Sequence, residues 1–314
     1  MKIQLFSLAT AMALIILAPY CFSEEQLSLK LASWNLEYFT DENFISLSPS
    51  TLPRNNSERL EYKSMLFAIN ADVVAIQEVA SKESLEIFSE KYESFFDETK
   101  GYTIKNAILY KRDLKDRVFS SFVVTDSVIT TEDERKGIKK TRPFIGIRLN
   151  LTKKVTVLNV HIKHSCRSEK FNGDGCNTTI KQLEKLKKFI HKELESNVAD
   201  IVLVVGDFNL RFQKTLSDSR KNQWDAFYNK MMLDSIKIQY WPKLIYPKCR
   251  DNKGLIREEF VDYFLCLSKE DTTCSGKQFL EYTYRKKALD WSLQMSDHCP
   301  ISLFIAVGVG VGSQ

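Results

Sequence analysis

Ile201-Val202-Leu203-Val204-Val205-Gly206-Asp207-Phe208-Asn209 holds the pattern on which the whole chain turns. Five consecutive aliphatic residues form the run expected of a strand covered on both faces, and Gly-Asp-x-Asn ends it with an acid and an amide. Because side chains alternate along a strand, Asp207 and Asn209 share one side while Phe208 points away. The same grammar recurs on either side of this stretch. Trp34-Asn35 and Gln77-Glu78 each close an apolar run, and Ser296-Asp297-His298 stands just before Pro300 and the last apolar run. A carboxylate beside an imidazole, joined by a second carboxylate and an amide from elsewhere, suits hydrolysis of a phosphodiester.

Between these clusters, strand and helix signals alternate. Leu29–Trp34 reads as a strand, Ser57–Asn70 as a helix with Ser57 as its cap and Leu60, Leu66, Phe67 and Ile69 at helical spacing, and Val73–Ile76 as a buried strand. Asn106–Tyr110, Arg117–Val124, Phe144–Leu151 and Val155–Val160 follow with short polar connections, the pattern of antiparallel meanders. Ile180, Leu183, Leu186, Ile190 and Leu194 mark a long amphipathic helix leading into Ile201–Val205. A helix around Asn222–Met232 and strands around Phe260–Leu267, Phe279–Arg285 and Pro300–Val307 complete the pattern. No internal repeat or linker interrupts it. The expected organisation is one domain over 24–307, two packed sheets flanked by helices, followed by a flexible glycine-rich tail over 308–314.

Lys2 followed by an apolar stretch to Ala18, then polar Ser23-Glu24-Glu25, reads as a signal peptide over 1–23 that is too short to remain as a membrane anchor. A lipid-modified Cys21 is the rival reading. Export agrees with cysteine usage, because six cysteines remain after Cys21. Cys166 and Cys176 bracket Asn172-Gly173-Asp174-Gly175, a loop that turns sharply enough to pair them; Cys249, Cys266, Cys274 and Cys299 allow three pairings. Zinc is the competing use, but no Cys-x-x-Cys or helical histidine pair accompanies these residues. The net charge is +5 for the whole chain and +4 without the leader, a mild basic bias compatible with a polyanionic substrate.

In chain order, Trp34-Asn35, Gln77-Glu78, Arg142-Pro143, Asn159-x-His161, Gly206-Asp207-x-Asn209, Val261-Asp262-Tyr263-Phe264-Leu265 and Ser296-Asp297-His298 resemble the motifs of the endonuclease/exonuclease/phosphatase superfamily, whose members include deoxyribonuclease I and exonuclease III. The resemblance covers essentially the whole chain after the leader. It implies an α/β (α+β) fold, a four-layer sandwich of two packed, mainly antiparallel β-sheets flanked by helices. It also implies a metal site of Glu78, Asn35, Glu37 and Asp297 for Mg²⁺, with Mn²⁺ or Ca²⁺ as alternatives. His298 is then the general base or electrostatic partner, with Asp262 fixing its tautomer. Asp207 lies beside the attacking water, and Asn209, His161 and Arg142 bind phosphate. Such residue types suit the chemistry, since a phosphodiester needs a positioned water and neutralised non-bridging oxygens.

Departures narrow the substrate. Asn159-Val160-His161 stands where abasic-site enzymes carry a Tyr-x-Pro-Asn type segment. Phe260-Val261-Asp262-Tyr263 replaces the Trp-x-Asp-Arg of inositol polyphosphate phosphatases, although Gly206 to Arg211 is similar to theirs. The stretch from His161 to Cys166, with its cysteine loop and long helix, resembles exported bacterial nuclease-like members. The function implied is a secreted, metal-dependent endonuclease hydrolysing DNA with low sequence specificity, periplasmic or released, monomeric and without a stable protein partner. Hydrolysis of a phospholipid head group is the alternative, for which Trp241-Pro242 and Ile245-Tyr246 are the candidate hydrophobic loop tips. A binding or toxin-associated module on the same fold is the third reading, and it predicts a damaged site.

Overall fold

The structure, a computed structural model, describes residues 27–40, 54–133, 137–164, 166, 168, 170–172, 176–212, 223–232, 235–241, 261–269, 272–279, 298 and 300–309. Two six-stranded sheets form the centre of the fold. The first contains β1 (Leu27–Phe39), β2 (Val73–Val79), β3 (Tyr92–Phe96), β4 (Lys105–Lys111), β13 (Thr272–Phe279) and β14 (Ile301–Val309), in the order β13-β14-β1-β2-β4-β3. The second contains β5 (Val118–Val124), β8 (Phe144–Asn150), β9 (Lys154–His161), β10 (Ile201–Asp207), β11 (Ile236–Trp241) and β12 (Asp262–Lys269), in the order β11-β12-β10-β9-β8-β5. A short ribbon, β6 (Thr130–Asp133) and β7 (Gly137–Lys140), stands apart.

The sheets share a plan. Each is antiparallel except for its central pair, β1 with β2 and β9 with β10, and each parallel pair is joined through a helix. That requirement is topological, because parallel neighbours need a crossover long enough to return to the same end of the sheet. Helix α1 (Asn56–Ile69) makes one crossover and α2 (Asn177–Glu195) the other. Strand alternation explains the layers. Leu29, Leu31, Val73 and Ala75 face the second sheet, whereas Ala32, Trp34, Val74 and Ile76 pack beneath Tyr62, Leu66 and Ile69 of α1. Thr156 on β9 turns outward to α2, where it donates to Glu193 Oε2 at 2.8 Å. The result is a four-layer sandwich of helix, sheet, sheet and helix, the expected fold class.

Several local expectations need correction. The cap of α1 is Asn55, which accepts from the Glu58 amide while Glu58 accepts from the Asn55 amide; Ser57 lies inside the first turn. Leu60 is half exposed, because the buried stripe runs through Tyr62, Met65, Leu66 and Ile69. The stretch Asn106–Tyr110 does not continue into a meander with the strands after it, since β4 pairs with β2 and β3 in the first sheet. Strands β3 and β11 are short and the β6–β7 ribbon is almost wholly polar, and none of them is among the expected strands. Trp241 ends β11 and is buried, so it is no loop tip; Pro242 and Ile245-Tyr246 lie outside the described residues. Strand β13 occupies Thr272–Phe279 and meets the expected strand Phe279–Arg285 only at Phe279, the rest of that stretch lying outside the described residues, and β14 runs to Val309, into the segment expected to be tail. The leader over 1–23 is outside the described residues as well.

Candidate active site

The functional side chains gather where the C-terminal ends of the two parallel pairs meet. Across the second sheet, Asp262 of β12, Asp207 of β10 and His161 of β9 lie in lateral register. In the first sheet, Asn35 of β1 pairs with Gln77 of β2, and Glu78 follows at once. Backbone conformation at this rim is unusual. Glu37, Tyr38, Glu78 and Asn209 all have positive φ, at 48, 58, 62 and 50°. Non-glycine residues rarely adopt that region, and such departures concentrate at functional sites.

Asp207 is the meeting point. Its carboxylate is 1 % exposed, its Oδ1 accepts the Asn209 amide at 2.8 Å, and its Oδ2 accepts from Asn35 Nδ2 of the other sheet at 3.1 Å. The same oxygen is 3.4 Å from His161 Nε2 and 3.8 Å from His298 Nε2. Burial, reinforced by the charge of Asp262, pushes its pKa from 3.8 to about 7, against the opposing pull of His298 and of the bonds from Asn35 and Asn209. Gly206 makes this placement possible. At φ 142° a side chain is strained, and a Cβ there would lie 2.1 Å from the Val160 carbonyl oxygen.

The Nδ1 atoms of the two histidines play opposite roles. Arg142 Nη1 is 3.1 Å from His161 Nδ1; since a guanidinium only donates, Nδ1 accepts and the proton sits on Nε2, facing Asp207 and, at 3.8 Å, Glu78 Oε1. Burial first, then Arg142 and the other cations nearby, hold the His161 pKa well below 6.5, so the ring is neutral and its contacts with these carboxylates are not ion pairs at neutral pH. For His298 the logic reverses. Nδ1 lies 2.7 Å from Asp262 Oδ2, and since a carboxylate only accepts, Nδ1 carries a proton and Nε2 is turned towards Asp207. Trp34 Nε1 fixes the His298 carbonyl at 3.0 Å.

The other predicted site residues distribute as follows. Arg142 also donates to the Ile104 carbonyl at 2.9 Å. Asn209 Nδ2 donates to the Ile162 carbonyl at 2.9 Å, so its amide is turned along the rim, while Phe208 anchors the segment among Phe212, Phe227 and Tyr263. Glu37 is held through its backbone, which donates to Asn35 Oδ1 at 3.0 Å and accepts from Arg54 at 2.5 Å. Asn159 is fully buried between the sheets, on the same strand face as His161 but one layer deeper. Asp297 lies outside the described residues. Cys166 and Cys176 are joined at an S–S distance of 2.02 Å, and the loop they close is held by Gln223 Nε2 on the Cys166 and Ser168 carbonyls. Cys266 and Cys274 form a second pair, linking β12 of one sheet to β13 of the other.

Tyr38 is a rim residue that pattern analysis misses. It is 42 % exposed, and its hydroxyl pKa is raised by burial and by the charges of Glu78 and Glu37, with Arg142 opposing. Glu37, Glu78 and Arg142 therefore surround one tyrosine. Its only advance signal was position, three residues beyond Asn35.

The donor set fits a hard divalent cation. Asp207, Asp262 and His298 each offer a ligand atom within 4.8 Å of the others, and Asp262 Oδ1 is buried with no hydrogen-bond partner among the described residues. Yet Asp262 and His298 already satisfy each other at Oδ2 and Nδ1. Glu78, whose Oε1 is 3.8 Å from His161 Nε2, is a further carboxylate that could hold a cation without breaking that pair.

No family model matches the sequence, and no curated protein does. Solved structures do resemble it. Truncated TDP2 of Caenorhabditis elegans aligns with a TM-score of 0.57 at 15 % identity, covering 89 % of this chain and 98 % of that one. TDP2 of D. rerio, complexed with a single-strand DNA product, gives 0.56 at 16 % identity over 90 % and 99 %. An endonuclease/exonuclease/phosphatase protein of Bacteroides vulgatus gives 0.54 at 14 % over 90 % and 99 %. The alignments cover about nine-tenths of this chain, and the chain thus has the deoxyribonuclease I-like fold seen in endonuclease/exonuclease/phosphatase proteins.

Proposed function

We propose that the protein is an exported, divalent-metal-dependent phosphodiesterase, an endonuclease that hydrolyses DNA with low sequence specificity. One observation carries the proposal: a buried carboxylate, Asp207, contacts Asn35 from one sheet and faces two histidines whose Nδ1 atoms are held by a guanidinium in one case and a carboxylate in the other. A hydrolytic site needs an acceptor for the proton of water and donors for phosphate, and His298 and His161 supply one of each.

Each group has a role in this proposal. His298, oriented by Asp262, accepts the proton of the attacking water at Nε2. Asp207 orients that water. His161 Nε2–H, Arg142 and Asn209 face the non-bridging oxygens, the arginine through a fork of donors suited to phosphate. Glu78 and Asn35, with Glu37 and Asp297 as further candidates, would hold a divalent cation, which when bound neutralises phosphate charge and stabilises the leaving oxygen. The relative solved with a single-strand DNA product supports a nucleic-acid substrate. Among the described residues no helix is long and apolar enough to cross a membrane, and two cysteine pairs accord with export. The burial of Trp241 removes one support for a lipid substrate.

Supercoiled plasmid incubated with the purified protein and Mg²⁺ is expected to be nicked, and excess chelator to stop the reaction. An unchanged plasmid in Mg²⁺, Mn²⁺ and Ca²⁺ alike refutes the nuclease reading. Release of a head group from phospholipid vesicles under those conditions establishes the alternative.

A further inference from the structure

The sequence pattern places Asn159 on the phosphate side of its strand, two residues before His161. The structure gives it different work. Its Nδ2 donates to the carbonyls of Ile76 and Ala107, both at 2.8 Å, and its Oδ1 accepts from Gln77 Nε2 at 2.7 Å. Asn159 belongs to the second sheet and all three partners to the first. Asn159 and Gln77 are both completely buried.

The place where this amide inserts is specific. Ile76 and Ala107 are the last regular pair of β2 with β4, and beyond them the register shifts before Val79 meets Lys105. Glu78 lies inside that irregularity with φ 62°. The amide therefore satisfies two strand carbonyls where the ladder opens, two residues from Glu78 along one strand and two from His161 along the other. Those two side chains then approach to 3.8 Å across the cleft. A second tie runs alongside. Asn106 Nδ2 of β4 donates to the Pro143 carbonyl at 3.1 Å, next to the arginine that holds His161 Nδ1.

We infer that Asn159 is a positioning residue, a clasp between the sheets that sets the gap between Glu78 on one and His161 on the other. This rests on the proposed function for its meaning but not for its measurement. A carboxamide is required because one side chain must donate twice and accept once. Aspartate has no donor, serine has one, and alanine has none. The clasp acts as the supporting shell of a metal site does, by fixing a ligand it does not itself replace.

The test measures Mn²⁺ affinity by calorimetry and plasmid cleavage by kinetics, on the full protein and on Asn159→Ala, well below the unfolding temperature. The expected result is a dissociation constant for Mn²⁺ raised about 10- to 100-fold, kcat at saturating metal lowered by a similar factor, and KM for DNA within about twofold. Asn159→Ser should fall between. A variant that melts earlier but keeps Mn²⁺ affinity and kcat reduces Asn159 to ordinary glue and overturns the inference. If Asn159→Ala does not fold, Asn159→Ser decides by the same readouts, and wild-type values from it have the same consequence. A wild-type chain that binds Mn²⁺ but cleaves no DNA defeats the proposed function alone, and Mn²⁺ affinity then decides the clasp. One that binds no Mn²⁺ overturns the clasp as well.

Discussion

The second sheet buries charge in two places and treats them differently. Under α2, Glu193 is 3 % exposed and fully answered: Arg148 donates to both its oxygens at 2.7 and 2.9 Å and Thr156 adds a third bond at 2.8 Å. Arg148 in turn bonds Ser120 at 3.0 Å and lies 4.1 Å from the Phe122 ring centroid. At the cleft, Asp207 is at least as deeply buried, but it faces another carboxylate, Asp262, and a histidine kept neutral. A satisfied buried pair fixes a helix on a sheet. A buried carboxylate that is hydrogen-bonded by amides but set against a second carboxylate keeps its capacity to interact with a cation, at the expense of stability.

This contrast can be broken by experiment. The largest effect is expected at the cleft: His298→Ala should lower kcat for plasmid nicking about 10²- to 10⁴-fold with little change in melting temperature. The opposite outcome belongs to α2. Glu193→Ala should destabilise the protein by about 3–5 kcal/mol in urea denaturation, because it strands the Arg148 guanidinium, while kcat measured well below the transition stays within about twofold.

A pH series separates the two kinds of burial. The pKa of Asp207 is raised from 3.8 to about 7, so the folded state holds its proton more tightly than the unfolded chain. The contribution to stability is complete below pH 3.8 and is lost as pH rises through about 7. In chelator, Asp207→Asn should therefore melt above the wild type at pH 8, with the difference shrinking towards pH 4. His161 works in the other direction, its depressed pKa removing stability as pH falls below 6.5. Equal differences at pH 4 and pH 8 would sink the account of Asp207. The smallest effect is expected on the surface, where Lys63 and Glu90 meet at 2.7 Å with the glutamate 71 % exposed; Lys63→Ala should change stability by about 0.5 kcal/mol or less.

Much of this architecture could be foreseen because strand ends announce themselves. A run such as Ile201–Val205 closed by Gly-Asp states both that a strand is buried and where it stops, and lateral register then brings Asp262, Asp207 and His161 together without further instruction. Edge strands say less. β13 is largely polar and exists because β14 pairs with it, and β11 half alternates. Depth is also silent: a period of two places Asn159 and His161 on one face but cannot say that one reaches the rim and the other a neighbouring sheet. Nor does a local pattern reveal which sheet receives β4, since that follows from contacts across the core.

Strand β14 has a temporal meaning. It pairs with β1 through the register Ser33 to Ile301, and His298 stands three residues before it, fastened by Trp34. The second sheet, with Asp207, Asp262 and His161, is complete in the chain before β13 begins. A growing polypeptide would thus bring Asp207, Asp262 and His161 together early and stay without His298 at the rim until β14 closes on β1. The last fold-back of the chain completes the cleft.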